Sequence, residues 1–226
     1  MSESVYDLVI LGAGSGGYAA ALRASQLGLK VALIEGDKVG GTCLHRGCIP
    51  TKAYLHAAET ADTVRESDTF GIQASFQGID MAKVGQYRDS IINKLYRGVQ
   101  GLLSSRGVDV IQGWGRLASP DTIEVGGQRI VGRNIILATG SYSRSIPGLD
   151  ISGRIITSDQ ALQMEWVPQK AVVLGGGVIG LEFASVWRSF GAEVTIIEAL
   201  PHLANNEDEA VSKHLERSFR KRGIAF

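Results

Sequence analysis

The chain has 226 residues, enough for one large domain or two small ones at roughly 100–200 residues each. Its 44% hydrophobic and 20% charged composition suits a folded protein with ample core material. Lys+Arg and Asp+Glu balance at 23 each, which argues against a basic nucleic-acid-binding domain, and no apolar run approaches the ~20 residues of a membrane-spanning helix. The expected partners therefore include no nucleic acid and no membrane. The short acidic start, Met1 to Ser4, lacks the basic segment and apolar stretch of a signal peptide, so the expected localisation is cytoplasmic.

In chain order, Tyr6 to Leu11 reads as a short buried strand, followed by glycines at 12, 14, 16 and 17. The alanine-rich stretch Tyr18 to Leu27 is helical, Gly28 ends it, and Lys30 to Ile34 is a second strand. Strand, turn, helix and strand within about 30 residues is the length of a βαβ unit. Ile49 to about Ala61 reads as a helix. Met81 to Arg106 reads as a long amphipathic one, with Val84, Tyr87, Ile91, Leu95, Val99 and Leu102 at three- and four-residue spacing. Val108 to Gln112 is a strand, Arg116 to Val131 a set of short strands with turns at Ser119-Pro120-Asp121 and Gly126-Gly127, and Ile135 to Ala138 another strand. Pro147-Gly148 marks a linker. The first pattern then repeats: strand from Ala171, glycines at 175, 176, 177 and 180, helix from Leu181 to Phe190, and strand from Val194 to Ile197. A last helix spans about Glu207 to Arg222, and Ile224 to Phe226 looks like the start of a strand.

Gly12, Gly14 and Gly17 fit G-x-G-x-x-G in the context that gives this motif meaning, after a strand and opening a helix. In such a turn the first glycine permits the bend, the second lets backbone approach a pyrophosphate, and the third lets helix pack on strand. The helix N-terminus supplies N–H groups to the phosphates. Glu35, at the end of the second strand, is placed to accept ribose hydroxyl protons. Gly175, Gly177 and Gly180 repeat the turn, and Glu198 repeats Glu35. A carboxylate there favours a free 2′-hydroxyl and repels a 2′-phosphate, which predicts NAD rather than NADP. The expected fold is α/β with two Rossmann-like dinucleotide-binding units, the second incomplete, divided as 1–148 and 149–226.

The chain's two cysteines, Cys43 and Cys48, lie close together, which points to redox chemistry or a metal. Pro50 suits the first turn of a helix. This puts Cys48 at that helix's N-terminus, where the dipole favours a thiolate, with Lys52 one turn on adding positive charge. Two inert core thiols are the bland alternative. A zinc site needs four ligands where the chain offers these two and His45, so no metal is expected.

Gly40 to Leu55 resembles the active-site signature of the flavin-dependent disulfide reductases. Its Cys-Ile-Pro-Thr-Lys ending is most similar to the dihydrolipoamide dehydrogenase family. Gly113-Trp114-Gly115, Ala138-Thr139-Gly140-Ser141 and Gly177-Val178-Ile179-Gly180-Leu181-Glu182 extend the resemblance over essentially the whole chain. It implies that Cys43 is the interchange thiol, that Cys48 is the flavin-proximal thiol, and that the two form a redox-active disulfide. It implies that Lys52 pairs with Glu182 near the flavin. FAD would be lined by Gly12, Gly14, Gly17, Glu35, Thr42, Lys52, Gly115, Thr139, Gly140 and Ser141. NAD would be lined by Gly175, Gly177, Val178, Ile179, Gly180, Glu182 and Glu198.

The implied reaction is oxidation of protein-bound dihydrolipoamide to lipoamide, with electrons passing to NAD. The implied partners are the lipoyl domains of a 2-oxo acid dehydrogenase complex, and the implied assembly is a homodimer. Family sequences continue beyond Phe226 with a dimerisation domain that supplies a His–Glu pair; His202 and His214 do not match that motif. The resemblance thus implies that these 226 residues are a truncated form with negligible turnover alone. A mercuric reductase-like enzyme and a non-catalytic nucleotide-binding fragment stand as alternatives.

Overall fold

The computed structural model describes residues 5–226, so the acidic start read at Met1 to Ser4 lies outside the described residues. The elements are β1 (Leu8–Leu11), α1 (Ser15–Gln26), β2 (Val31–Glu35), α2 (Gly41–His45), α3 (Cys48–Arg65), α4 (Met81–Ser105), β3 (Asp109–Gln112), β4 (Gly115–Ser119), β5 (Thr122–Val125), β6 (Gln128–Val131), β7 (Ile135–Leu137), α5 (Ser158–Ala161), β8 (Lys170–Leu174), α6 (Val178–Phe190), β9 (Glu193–Ile197) and α7 (Glu209–Lys221). The strands and long helices expected from the periodicity are present, with ends shifted by a few residues, apart from the terminal strand expected from Ile224.

Two compact units emerge. One runs to Ile49 and resumes over Ser90–Ile151; the other comprises Pro50–Asp89 and Ser152–Phe226. The helices α3 and α4 pass from one unit into the other. This partition cuts across the division at 148/149 drawn from the sequence, because residues 50–89 group with the C-terminal part. Tyr54, Ala58 and Met81 lie in one apolar core with Phe183, Trp187 and Phe190, a grouping that chain order does not reveal.

In the first unit β3-β2-β1-β7 form a parallel sheet, in register Leu8 to Val31 and Val9 to Ile135. Alternation along the strands divides the apolar run between two faces. Leu8, Ile10, Val31 and Leu33 join α1 and the Val99–Leu103 end of α4. Val9, Leu11, Ala32 and Ile34 meet Ile123 and Val125 of the antiparallel β4-β5-β6 meander. Burial on both sides explains why these strands read as continuous apolar runs.

In the second unit β8 and β9 pair in parallel, with α6 as the crossover. The expected terminal strand is a single parallel bridge, Ala225 to Thr195 on β9, with Ala225 N–H donating to Val194 O at 3.1 Å and its C=O accepting from Ile196 at 2.8 Å. One face of this sheet leaves Val172, Leu174 and Ile197 exposed. Arg88, 7% exposed, donates to Tyr54 Oη at 3.1 Å and to Leu162 O, and burial pushes the Tyr54 phenol up against the opposing pull of Arg88. Arg88→Met is expected to cost about 2 kcal/mol, the scale of losing charged hydrogen bonds in a buried setting. A urea titration checks it; a change below ~0.5 kcal/mol would mean that water replaces the guanidinium without penalty.

Candidate functional site

The two glycine turns are built alike, bond for bond. Gly12 follows β1 at φ 100°, its N–H donating to Ile34 O at 2.8 Å; Gly175 follows β8 at φ 103°, donating to Ile197 O at 2.8 Å. Such φ values are open to glycine and strained for other residues. A Cβ at Gly17 would stand 1.8 Å from Gly12 O, and one at Gly180 would stand 2.1 Å from Gly175 O. The first and third glycines are thus required by the protein's own backbone.

The middle glycines are not. Gly14 and Gly177 cap α1 and α6 at φ −65° and −77°, which any residue adopts. A Cβ would meet nothing closer than 4.0 Å at Gly14 and nothing within 4 Å at Gly177. No side chain caps either helix, so each N-terminus presents its first-turn amides beside space that a side chain would fill. This fits a pyrophosphate at both turns.

Each turn is braced by the carboxylate that the sequence assigns to ribose. Glu35 accepts from Ala13 N–H at 2.7 Å and Asp37 N–H at 2.8 Å. Glu198 accepts from Gly176 N–H at 2.6 Å and Leu200 N–H at 2.9 Å. The Leu200 and Gly176 amides hold the Glu198 carboxyl below the usual carboxylate range. A carboxylate has about four lone-pair sites, so bracing and ribose binding are compatible. This bracing role is the part of the two glutamates that sequence reasoning missed. The carbonyl of the same turn residue is held as well, by Gly40 N–H on Ala13 O at 2.8 Å and by Ala204 N–H on Gly176 O at 2.8 Å.

The other first-unit residues converge on the same edge of the parallel sheet, beyond the C-terminal ends of its strands. Ala138 and Thr139, after β7, run directly behind Gly12, where a Cβ would stand 2.2 Å from Ala138 O. Gly140 at φ 81° and Ser141 continue into an exposed irregular stretch. Gly115 is packed against Leu11, Ile123 and Ile34, where a Cβ would come within 3.1 Å of all three. Its lack of a side chain thus already has a core-packing reason. Exposed Trp114 lies over Gly36, and Gly41 approaches Gly14 so closely that its Cβ would stand 2.6 Å from Gly14 Cα. Gly41 opens α2, which carries exposed Thr42 and half-buried Cys43. His45 Nε2 bonds Val39 O at 2.9 Å and its ring meets Tyr96 edge-on at 5.0 Å, an anchoring role.

Cys48, exposed, is the first residue of the 18-residue α3, at the positive end of its dipole. In the second unit, Lys52 of α3 makes a salt bridge with half-buried Glu182 of α6. Val178 and Ile179 stand exposed at the start of α6. Among the described residues, no three His, Cys, Asp or Glu side chains are grouped to hold a metal ion, and no helix is long and apolar enough to cross a membrane.

Each unit thus carries one glycine turn of the dinucleotide-binding kind, and the first unit also carries the Cys43–Cys48 segment. The chain belongs to the pyridine nucleotide-disulphide oxidoreductase family, whose signature matches residues 6–226. It is 44% identical to dihydrolipoyl dehydrogenase of Bacillus subtilis (strain 168), over 98% of this chain and 50% of that one. It is 41% identical to the Pseudomonas aeruginosa dihydrolipoyl dehydrogenase, over 96% and 49%. Among solved structures it resembles the HOCl-induced flavoprotein disulfide reductase RclA from Escherichia coli, with TM-score 0.80 and 30% identity, over 97% of this chain and 48% of that one. The chain spans about half the length of these relatives.

Proposed function

We propose that the protein oxidises dihydrolipoamide to lipoamide and delivers the electrons to NAD. The observation that carries this reading is the occurrence in one chain of two equivalent glycine turns, each braced by a strand-end glutamate, together with the Cys43–Cys48 segment. The 41–44% identity to dihydrolipoyl dehydrogenases supports it. Gly12, Gly14 and Gly17 with Glu35 would hold FAD; Gly175, Gly177 and Gly180 with Glu198 would hold NAD. FAD, when bound, supplies the two-electron carrier between thiols and nicotinamide.

The chain's own residues do the rest. Cys43 takes one sulfur of the substrate dithiol as a mixed disulfide while Cys48 leaves as thiolate. The second substrate sulfur then closes lipoamide and releases Cys43, so two protons and two electrons leave the substrate. Cys48 stands at the N-terminus of α3, and the Lys52–Glu182 pair fixes the ammonium one turn further along the helix. The substrate would reach the protein on lipoyl domains of a 2-oxo acid dehydrogenase complex, in the cytoplasm, with the protein as a homodimer.

Steady-state lipoamide reduction with NADH and with NADPH, in FAD-loaded protein expressed to the end of its reading frame, tests this. NADH is expected to be preferred, and Glu198→Gly to erode the preference chiefly by improving NADPH. The Glu198 carboxyl is held low, so its charged form persists as pH falls through the ordinary carboxylate range near 4.3; discrimination should therefore hold at pH 5. Equal efficiency with the two cofactors would remove the NAD assignment, and absent lipoamide turnover would remove the substrate assignment.

A further inference from the structure

The loop between β9 and α7 grips the second glycine turn. Leu203, 1% exposed, fills the space beside Gly176, where a Cβ would stand 2.6 Å from Leu203 Cδ2. Ala204 donates its N–H to Gly176 O from left-handed backbone, φ 50°, and is the one non-glycine residue with positive φ among the described residues. In the first turn the same bond comes from Gly40 at φ 107°, where glycine meets no steric penalty. An alanine in that conformation is disfavoured and persists only where its surroundings hold it.

The hold comes from α7. Glu216 Oε1 accepts from Leu203 N–H at 3.2 Å and lies 3.1 Å from His202 Nδ1. Ser212 Oγ donates to Ala204 O at 3.1 Å. Burial works to raise the Glu216 carboxyl, but the His202 and Leu203 bonds outweigh it and hold the group below its ordinary value. Glu216 is therefore an acceptor, and His202 must donate from Nδ1. On the far side, Glu209 Oε1 lies 3.8 Å from His202 Nε2 and is tied to Lys213, while Glu216 Oε2 lies 3.7 Å from Arg220.

We infer that His202 and Glu216 are positioning residues for the pyridine-nucleotide turn: by clamping Leu203 they keep Ala204 left-handed with its N–H on Gly176. The inference rests on the assignment of the second turn to NAD. Their assigned role is exercised through the turn, by way of Leu203 and Ala204.

The test compares FAD-loaded wild type, His202→Ala, Glu216→Gln and His202→Ala/Ala204→Gly. NADH affinity is read by fluorescence titration, flavin content by absorbance, and protection of the Ala204 amide by hydrogen exchange. His202→Ala is expected to raise the NADH Kd about 5- to 10-fold and to deprotect the Ala204 amide, with flavin content unchanged. Glu216→Gln keeps an acceptor oxygen and should show a smaller shift in the same direction. Ala204→Gly in the His202→Ala background should recover most of the loss, because glycine takes the left-handed conformation without a clamp. Unchanged Ala204 protection in His202→Ala would overturn the inference. So would a loss of affinity that Ala204→Gly fails to rescue, since that marks general damage. Wild type that binds no NADH would overturn the NAD assignment instead, and the exchange data would still decide whether the clamp exists.

Discussion

Gly17→Ala is expected to leave the protein unable to retain flavin while NADH still binds, and Gly180→Ala to do the reverse. A Cβ at either position would stand 1.8 or 2.1 Å from a backbone carbonyl oxygen, far inside contact distance. Neither oxygen can yield: Gly12 and Gly175 are each tied by an N–H bond of 2.8 Å to the neighbouring strand. The helix itself must move. Overpacking of this kind costs about 1–3 kcal/mol, and at 1.4 kcal/mol per tenfold the upper end is about a 100-fold loss of affinity. The helix N-terminus is also displaced from the phosphates, so the loss should reach at least that scale. Flavin absorbance after gel filtration and NADH fluorescence titration on both variants decide it. If both variants lose both nucleotides, the two turns do not act separately.

The second large effect concerns the thiols. In FAD-loaded protein, Cys43→Ser is expected to show a long-wavelength charge-transfer band without added reductant, and Cys48→Ser to show none even after dithionite. The reason lies in α3. Cys48 is its first residue, so its sulfur sits at the N-terminus of an 18-residue helix with Lys52 one turn on, whereas Cys43 sits in the five-residue α2. Both variants should lose lipoamide turnover, because a single thiol cannot complete the disulfide exchange. A visible spectrum of each variant before and after reduction makes the comparison, and the opposite pattern would exchange the two roles.

How far the sequence carries differs from one feature to the next. The glycine turns were legible because glycine spacing, a preceding apolar run and a following helix coincide at both. The strands β1 and β2 were legible because burial on both faces makes them uniformly apolar. By contrast, nothing local shows that Glu35 and Glu198 also hold Ala13 and Gly176 N–H, since those partners lie 22 residues away and are set by how the strands align. The grouping of Tyr54 and Met81 with α6 likewise depends on tertiary contacts that chain order hides. His202 drew attention only for failing to match a catalytic motif. Its bond to Glu216, 14 residues on, has no motif at all, and the left-handed backbone at Ala204 runs against what an alanine announces.

The bracing of the two turns bears on how fast and how cleanly nucleotides are exchanged. Each turn residue is tied at both its N–H and its C=O by the chain itself, through Glu35 and Gly40 in one case and Glu198 and Ala204 in the other. An arriving dinucleotide therefore meets amides that already point the right way. Little loop ordering remains to be lost on binding. Encounter, rather than rearrangement of the phosphate loop, should then set the association rate at both turns. Differences in residence time between the two nucleotides would have to arise from contacts beyond the glycine turns.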